Sequence, residues 1–204
     1  MMYDSKSHWA DLISKWGSEL NTKLNIAITG DPGSGKSSFI NAIRSLNDDD
    51  DDRGAAKTSV KEMTNKPAPY PHHMHPNVTM WDLPGIGTAN CPAETYLKDM
   101  NFDRYDFFII VAAVRFTEAD TKLAKEIKKM GKKFYFVRTK VDVDLANEQR
   151  KRDFNEEKTL QIIRSDCMEQ VCPHCALTLG SNSDLSLNPC CFHSQISLTR
   201  VSEH

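Results

Sequence analysis

Apolar positions along the chain fall into two patterns. Short runs read as strands: Leu24–Thr29, Asn77–Met80, Phe107–Val114 and Phe134–Arg138, with Phe107–Val114 continuous enough to be buried. Longer segments carry apolar residues at helical spacing. Residues 5–20 place Trp9, Leu12, Ile13, Trp16 and Leu20 on one face, and Ser38–Leu46 opens just after a glycine-rich turn. Glu118–Met130 turns Ala119, Leu123, Ala124 and Ile127 inward, and Asn155–Gln170 does the same with Leu160, Ile163 and Met168. Strands and helices alternate without internal repeat. That order predicts an α/β fold of three layers, α/β/α, around a mostly parallel sheet. The N-terminal helix, within residues 1–22, is expected to pack on a domain spanning residues 23–170, with a partner-binding face as the alternative.

The connectors are polar. Asp48–Asp52 repel one another and predict a solvated, mobile loop. Pro67–Pro76, with His72, His73 and His75, predicts an exposed connector. Residues 171–204 shift to Cys, Ser, Asn and His, and helical periodicity stops. Within this tail Ala176–Leu179 is the expected last strand and Ser181–Asn182 a base-contacting loop, with no helix legible after Asp184. Cys172-Pro173-His174-Cys175 and Cys190-Cys191-Phe192-His193 offer thiolates and imidazoles for zinc, but their spacing matches no strong zinc pattern. A disordered tail is the preferred reading.

Gly30-Asp31-Pro32-Gly33-Ser34-Gly35-Lys36-Ser37 fits the phosphate-loop pattern G-x-x-x-x-G-K-[ST] in full. It lies between a strand and a helix, where backbone N–H groups and the helix dipole converge on an anion. Ser38 continues the site into the helix. Lys36 is expected on the β- and γ-phosphates and the Ser37 hydroxyl on Mg2+. Asp82 in Trp81-Asp82-Leu83-Pro84-Gly85 is the candidate carboxylate that orients Mg2+ through water, and the Gly85 N–H the candidate sensor of the γ-phosphate. Thr139-Lys140-Val141-Asp142 follows a strand. The Asp142 carboxylate offers two acceptors in a plane, matching the adjacent N1–H and N2–H₂ donors of guanine, and the Lys140 stem can lie across the base. Alone, this run equally suits a helix cap. In order and spaced by roughly fifty residues, as a β/α nucleotide domain requires, the motifs together favour GTP.

The runs Gly33–Asn41, Gly54–Thr58, Trp81–Gly87, Tyr105–Ile110 and Phe134–Asp142 resemble the immunity-related GTPases, the interferon-inducible GTPases of vertebrate cell-autonomous defence, over most of residues 5–170. Lys36 resembles the effector branch of that family rather than the branch with methionine there. The resemblance implies a Ras-like G domain of the P-loop NTPase type that hydrolyses GTP to GDP and phosphate with Mg2+. It implies that Thr58 closes on Mg2+ and the γ-phosphate, and that Glu62 acts in hydrolysis beside Lys36 and Gly85. It also implies nucleotide-dependent homo- or hetero-oligomers with related GTPases, and membrane association through a long helical C-terminal domain. Nothing here corresponds to that domain, so the chain reads as a truncated or alternatively spliced member. Where Ras-type switches carry a water-positioning glutamine, Ile86 follows Gly85. An aliphatic side chain cannot orient water, so slow intrinsic turnover is expected.

Composition narrows the remaining classes. A chain of 204 residues suffices for one domain with a sizeable core, and a formal charge of −2 gives no basis for nucleic-acid binding. The longest apolar run is about half of what a membrane span needs. The start, Met1-Met2-Tyr3-Asp4, lacks a signal peptide's regions and the Met-Gly of myristoylation, so a cytosolic address is expected. Two other readings stay open: a GTP-binding regulator that pairs with relatives without turnover, and a zinc or interaction module in the tail.

Overall fold

The computed structural model describes residues 13, 22–50, 53–58, 66–86, 95–171 and 196–198. Its centre is β1, Leu24–Gly30, flanked in parallel by β3, Val78–Asp82, and β4, Phe107–Ala112. The registers pair Ile26 with Met80 and Ile28 with Ile109. Parallel β5, Lys133–Arg138, follows β4, and Ile196–Leu198 (β6) pairs in parallel with β5 at the edge. At the opposite edge Ala68–Pro71 (β2) runs antiparallel to β3. The six-stranded order is β2-β3-β1-β4-β5-β6. The expected mostly parallel α/β sheet is therefore present.

Period-two alternation sends each central strand into two cores. Ile26, Ile28, Ile109, Val111 and Met80 meet Phe39, Ile40 and Ile43 of α1, Lys36–Ile43. Ile13 is buried in the same layer; Trp9, Leu12, Trp16 and Leu20 lie outside the described residues. The opposite face sends Ala27, Phe108 and Ile110 against the short helix α2, Tyr96–Asp99, the turn Phe102–Arg104, and α3, Glu118–Lys129. Helix α3 starts at a capping box: the Thr117 hydroxyl accepts from Asp120 N at 3.2 Å while Asp120 Oδ2 accepts from Thr117 N at 2.9 Å. Helix α4, Val141–Glu148, and helix α5, Glu156–Val171, complete the described elements.

Several expectations change. The β4 strand ends at Ala112, and Val114 is 69% exposed. On α5 the buried residue is Cys167, whereas Met168 is exposed; the stripe Leu160, Ile163, Cys167 keeps helical spacing, and Met168 stands well off it. Burial pushes the Cys167 thiol up to about 11. Ile196–Leu198 stands beside β5, and Ala176–Leu179, the expected last strand, lies outside the described residues. The Pro67–Pro76 segment is no simple connector: β2 lies within it, tolerated because an edge strand does not need every N–H. Asp48 and Asp50 are engaged by hydrogen bonds, while Asp49 is exposed. Asp48 accepts from Ser38 Oγ at 2.9 Å and Asn41 Nδ2 at 2.8 Å, and Asp50 pairs with Arg53. Among the described residues no helix is long and apolar enough to cross a membrane.

His72, expected in solvent, is buried. Its Nδ1 accepts from Met74 N at 3.2 Å, which fixes a neutral ring, and it hydrogen-bonds the backbone of Ile43. Burial, aided by neighbouring His75, His73 and Arg44, pushes its pKa down to about 4. The unfolded chain, titrating near 6.5, therefore takes up the proton first. The contribution to stability is complete above pH 6.5 and is lost as the pH falls toward 4. Urea unfolding at pH 7 and pH 5 should give a wild-type loss larger by about 1–2 kcal/mol than that of His72→Gln; equal losses would contradict a buried neutral imidazole.

Candidate nucleotide site

The phosphate-loop motif occupies the C-terminal edge of the sheet, between β1 and α1. Gly30 ends β1 at φ 137°, and a Cβ there would fall 2.0 Å from Val111 O. Only glycine lets the end of β1 approach β4 so closely. Gly33 and Gly35 hold left-handed φ values of 72° and 84° that curl the loop. Gly35 is the N-cap of α1 and supplies no side chain, so the first-turn amides carry no side-chain cap. The Lys36 ammonium arches back over the loop, donating to Asp31 O at 2.8 Å and Gly30 O at 3.2 Å. Burial lowers its pKa, against the opposing pull of Asp82, Asp31 and Asp120.

The Ser37 hydroxyl donates to Asp82 Oδ2 at 2.7 Å, and Asp82 is buried at the end of β3. Past it, Leu83 N bonds Ile28 O at 3.0 Å and Ile86 N bonds Gly30 O at 3.4 Å, which lays the Asp82–Gly85 run along the loop. A Cβ on Gly85 would fall 2.6 Å from Pro32 Cγ. Two hard oxygen donors thus stand together at the mouth of the loop, a set that fits Mg2+, which takes few protein ligands and completes its shell with phosphate and water. Among the described residues no cluster of three or more His, Cys, Asp or Glu forms a metal cage.

Thr58 is exposed, at the end of a segment positioned by Asn41. The buried Asn41 amide donates to Ala56 O at 2.9 Å and accepts from Ala56 N at 2.6 Å, replacing a strand partner. The side chain of Ser38 is engaged with Asp48. Glu62, Ser181, Asn182 and the cysteine and histidine positions of the tail lie outside the described residues.

At the other end of the site, β5 delivers Thr139 beneath the phosphate loop. Its hydroxyl donates to Ser34 O at 2.6 Å, with Ala112 O at 3.2 Å. Lys140 turns the chain at φ 54° into α4, whose first turn carries Asp142. Asp142 Oδ1 is buried with no hydrogen-bond partner. Buried Arg138 donates to Thr139 O and Asp144 Oδ2, each at 2.5 Å, and locks strand, turn and helix together. The structure thus groups Gly30–Ser37 with Asp82 and Gly85, and places Thr139–Asp142 against them. Asn41, Arg138 and Asp144 did not emerge from the sequence. The only signal for Asn41 was an amide among the apolar residues of α1, and for Arg138 an arginine ending a buried strand.

The interferon-inducible GTPase family profile matches residues 10–176. The T-cell-specific guanine nucleotide triphosphate-binding protein 2 of Mus musculus is 49% identical over 169 residues, 80% of this chain and 40% of its own. Interferon-inducible GTPase 1 of Mus musculus is 53% identical over 147 residues, 71% of this chain and 35% of its own. The chain thus spans about 30–40% of the length of the curated relatives it matches. In fold it is similar to Toc33 of Arabidopsis thaliana, solved as a dimerisation-deficient mutant, with a TM-score of 0.63 and 12% identity over 99% of this chain and 80% of that one. Toc33 with Mg2+ and GMPPNP gives a TM-score of 0.58 at 13% identity, over 100% of this chain and 81% of that one. From residue 10 to residue 176 the chain belongs to the interferon-inducible GTPase family.

Proposed function

We propose that the chain binds GTP with Mg2+ and hydrolyses it slowly to GDP and phosphate, as a nucleotide switch in interferon-induced defence. The observation that carries this reading is Asp142 Oδ1, a buried acceptor without a partner on a helix whose strand is bonded to the phosphate loop. A buried acceptor left unpaired costs about 1–3 kcal/mol, which the guanine N1–H and N2–H₂ donors would recover. Lys36 holds two loop carbonyls, and burial disfavours its charge. The β- and γ-phosphates offer that ammonium a stronger partner. Ser37 would hold Mg2+ directly, Asp82 through water, and Thr58 on closure of the first switch. When bound, the ion offsets phosphate charge in the transition state. Ser38 continues the phosphate cradle, the Gly85 N–H reads the γ-phosphate, and Glu62 assists hydrolysis.

The position after Gly85 holds Ile86, which is buried and cannot orient water. Turnover therefore depends on groups supplied across a contact between copies or with related GTPases; the names of the relatives support the immune setting.

Calorimetry with Mg2+ should find GTP bound in preference to ATP. Lys36→Ala should weaken GTP roughly 100-fold, equivalent to about 3 kcal/mol of charge-assisted bonding. Asp142→Asn, which sets a donor against the guanine donors, should erase the preference for GTP; a retained preference would refute the base assignment. Turnover per molecule should rise with protein concentration, and a flat profile would remove the assembly-dependent part of the reading.

A further inference from the structure

The run that leaves β3 at Asp82 is held near its start by the first side chain of α2. The Tyr96 hydroxyl donates to Pro84 O at 2.7 Å. That uses its one proton, so in the 2.8 Å contact between Tyr96 Oη and Thr29 Oγ1 the threonine is the donor. Tyr96, Thr29 and Pro84 are all buried, and the Tyr96 ring stands edge-on to Phe102 at 5.7 Å. Thr29 immediately precedes Gly30. A hydroxyl relay therefore connects the strand that carries the phosphate loop to the peptide between Pro84 and Gly85.

A peptide group is planar, and in its trans form the C=O and N–H point in opposite directions. Among the described residues no peptide is cis. Gripping Pro84 O from one side thus fixes the direction of the Gly85 N–H on the other. The close approach of Gly85 to Pro32 sets the same peptide against the phosphate loop. We infer that Tyr96 is a positioning residue for the γ-phosphate: its hydroxyl aims the Gly85 N–H and so sets the preference for nucleoside triphosphate over diphosphate. This rests on the guanine-nucleotide reading above. The loop amides and Lys36 serve the phosphates without passing through Tyr96, so the relay governs the ratio of the two affinities rather than binding as such.

The test is calorimetry of a non-hydrolysable GTP analogue and of GDP, each with Mg2+, on the wild type, Tyr96→Phe and Thr29→Val. Tyr96→Phe keeps the ring packing and removes the hydroxyl. It should weaken the analogue roughly tenfold, the worth of one hydrogen bond, and leave GDP within about twofold. Thr29→Val leaves the bond to Pro84 O but removes the hydroxyl that fixes its direction, and should lower the ratio about threefold. Equal losses for both nucleotides, or an unchanged ratio in both variants, would overturn the assignment. GDP binding reports folding in each variant; if Tyr96→Phe does not fold, the ratio in Thr29→Val decides. A wild type that binds neither nucleotide defeats the guanine reading itself and the relay with it. A wild type that discriminates, beside variants that discriminate equally well, defeats the relay alone.

Discussion

The Thr139 hydroxyl donates to Ser34 O at 2.6 Å, and this bond sets the distance between the two ends of the site. Its donor directly follows β5 and its acceptor lies in the loop after β1, strands separated in the sheet by β4. Thr139 also contacts Ala112 O at the end of β4, so one side chain spans all three strand ends. Gly35 lies next to it, with room for a Cβ only at ordinary contact, 3.6 Å from Thr139 Oγ1. From this point Arg138 carries the constraint outward to Asp144, and Gly30 carries it across to Val111. A loop bonded to its neighbours in this way meets a ligand already shaped, which reduces the ordering cost of binding.

Charge follows the same arrangement. Lys36 is buried and surrounded at longer range by Asp82, Asp31 and Asp120. Desolvation is the larger effect, so the ammonium gains from an anion brought into the site. Asp120 answers from the other side: burial raises its pKa, while Thr117 and Lys36 hold it down. The capping box of α3 thus places a carboxylate within reach of the phosphate-loop lysine's field.

The strands, α1 and α3 were legible because period and turn chemistry agree over those stretches. The loop was legible because glycine, lysine and serine occur there at a fixed spacing that a mechanism requires. What stayed hidden depends on tertiary pairing. Ala68–Pro71 reads as a loop from its prolines and becomes a strand only because an edge position excuses them. Helical spacing from Leu160 and Ile163 reaches Cys167 rather than Met168, but Met168 is the more apolar of the two in appearance, and only the resting place of α5 shows which is buried. Tyr96 has no motif of its own; its importance comes from Thr29 and Pro84, which are brought to it by the fold. Arg138 likewise looks like the polar end of a strand until Asp144 is seen opposite it.

Asn41 binds Asp48 and both polar groups of Ala56 with one amide. The base of the loop is therefore held by a side chain of α1 as well as by the backbone bond from Ala55 N to Asp50 O at 3.2 Å. Its length is decoupled from the position of Ala56, since closure entropy grows slowly with added residues. The acidic tract is thus a place where the chain can lengthen or shorten, while the segment that ends at Thr58 keeps its address on the helix.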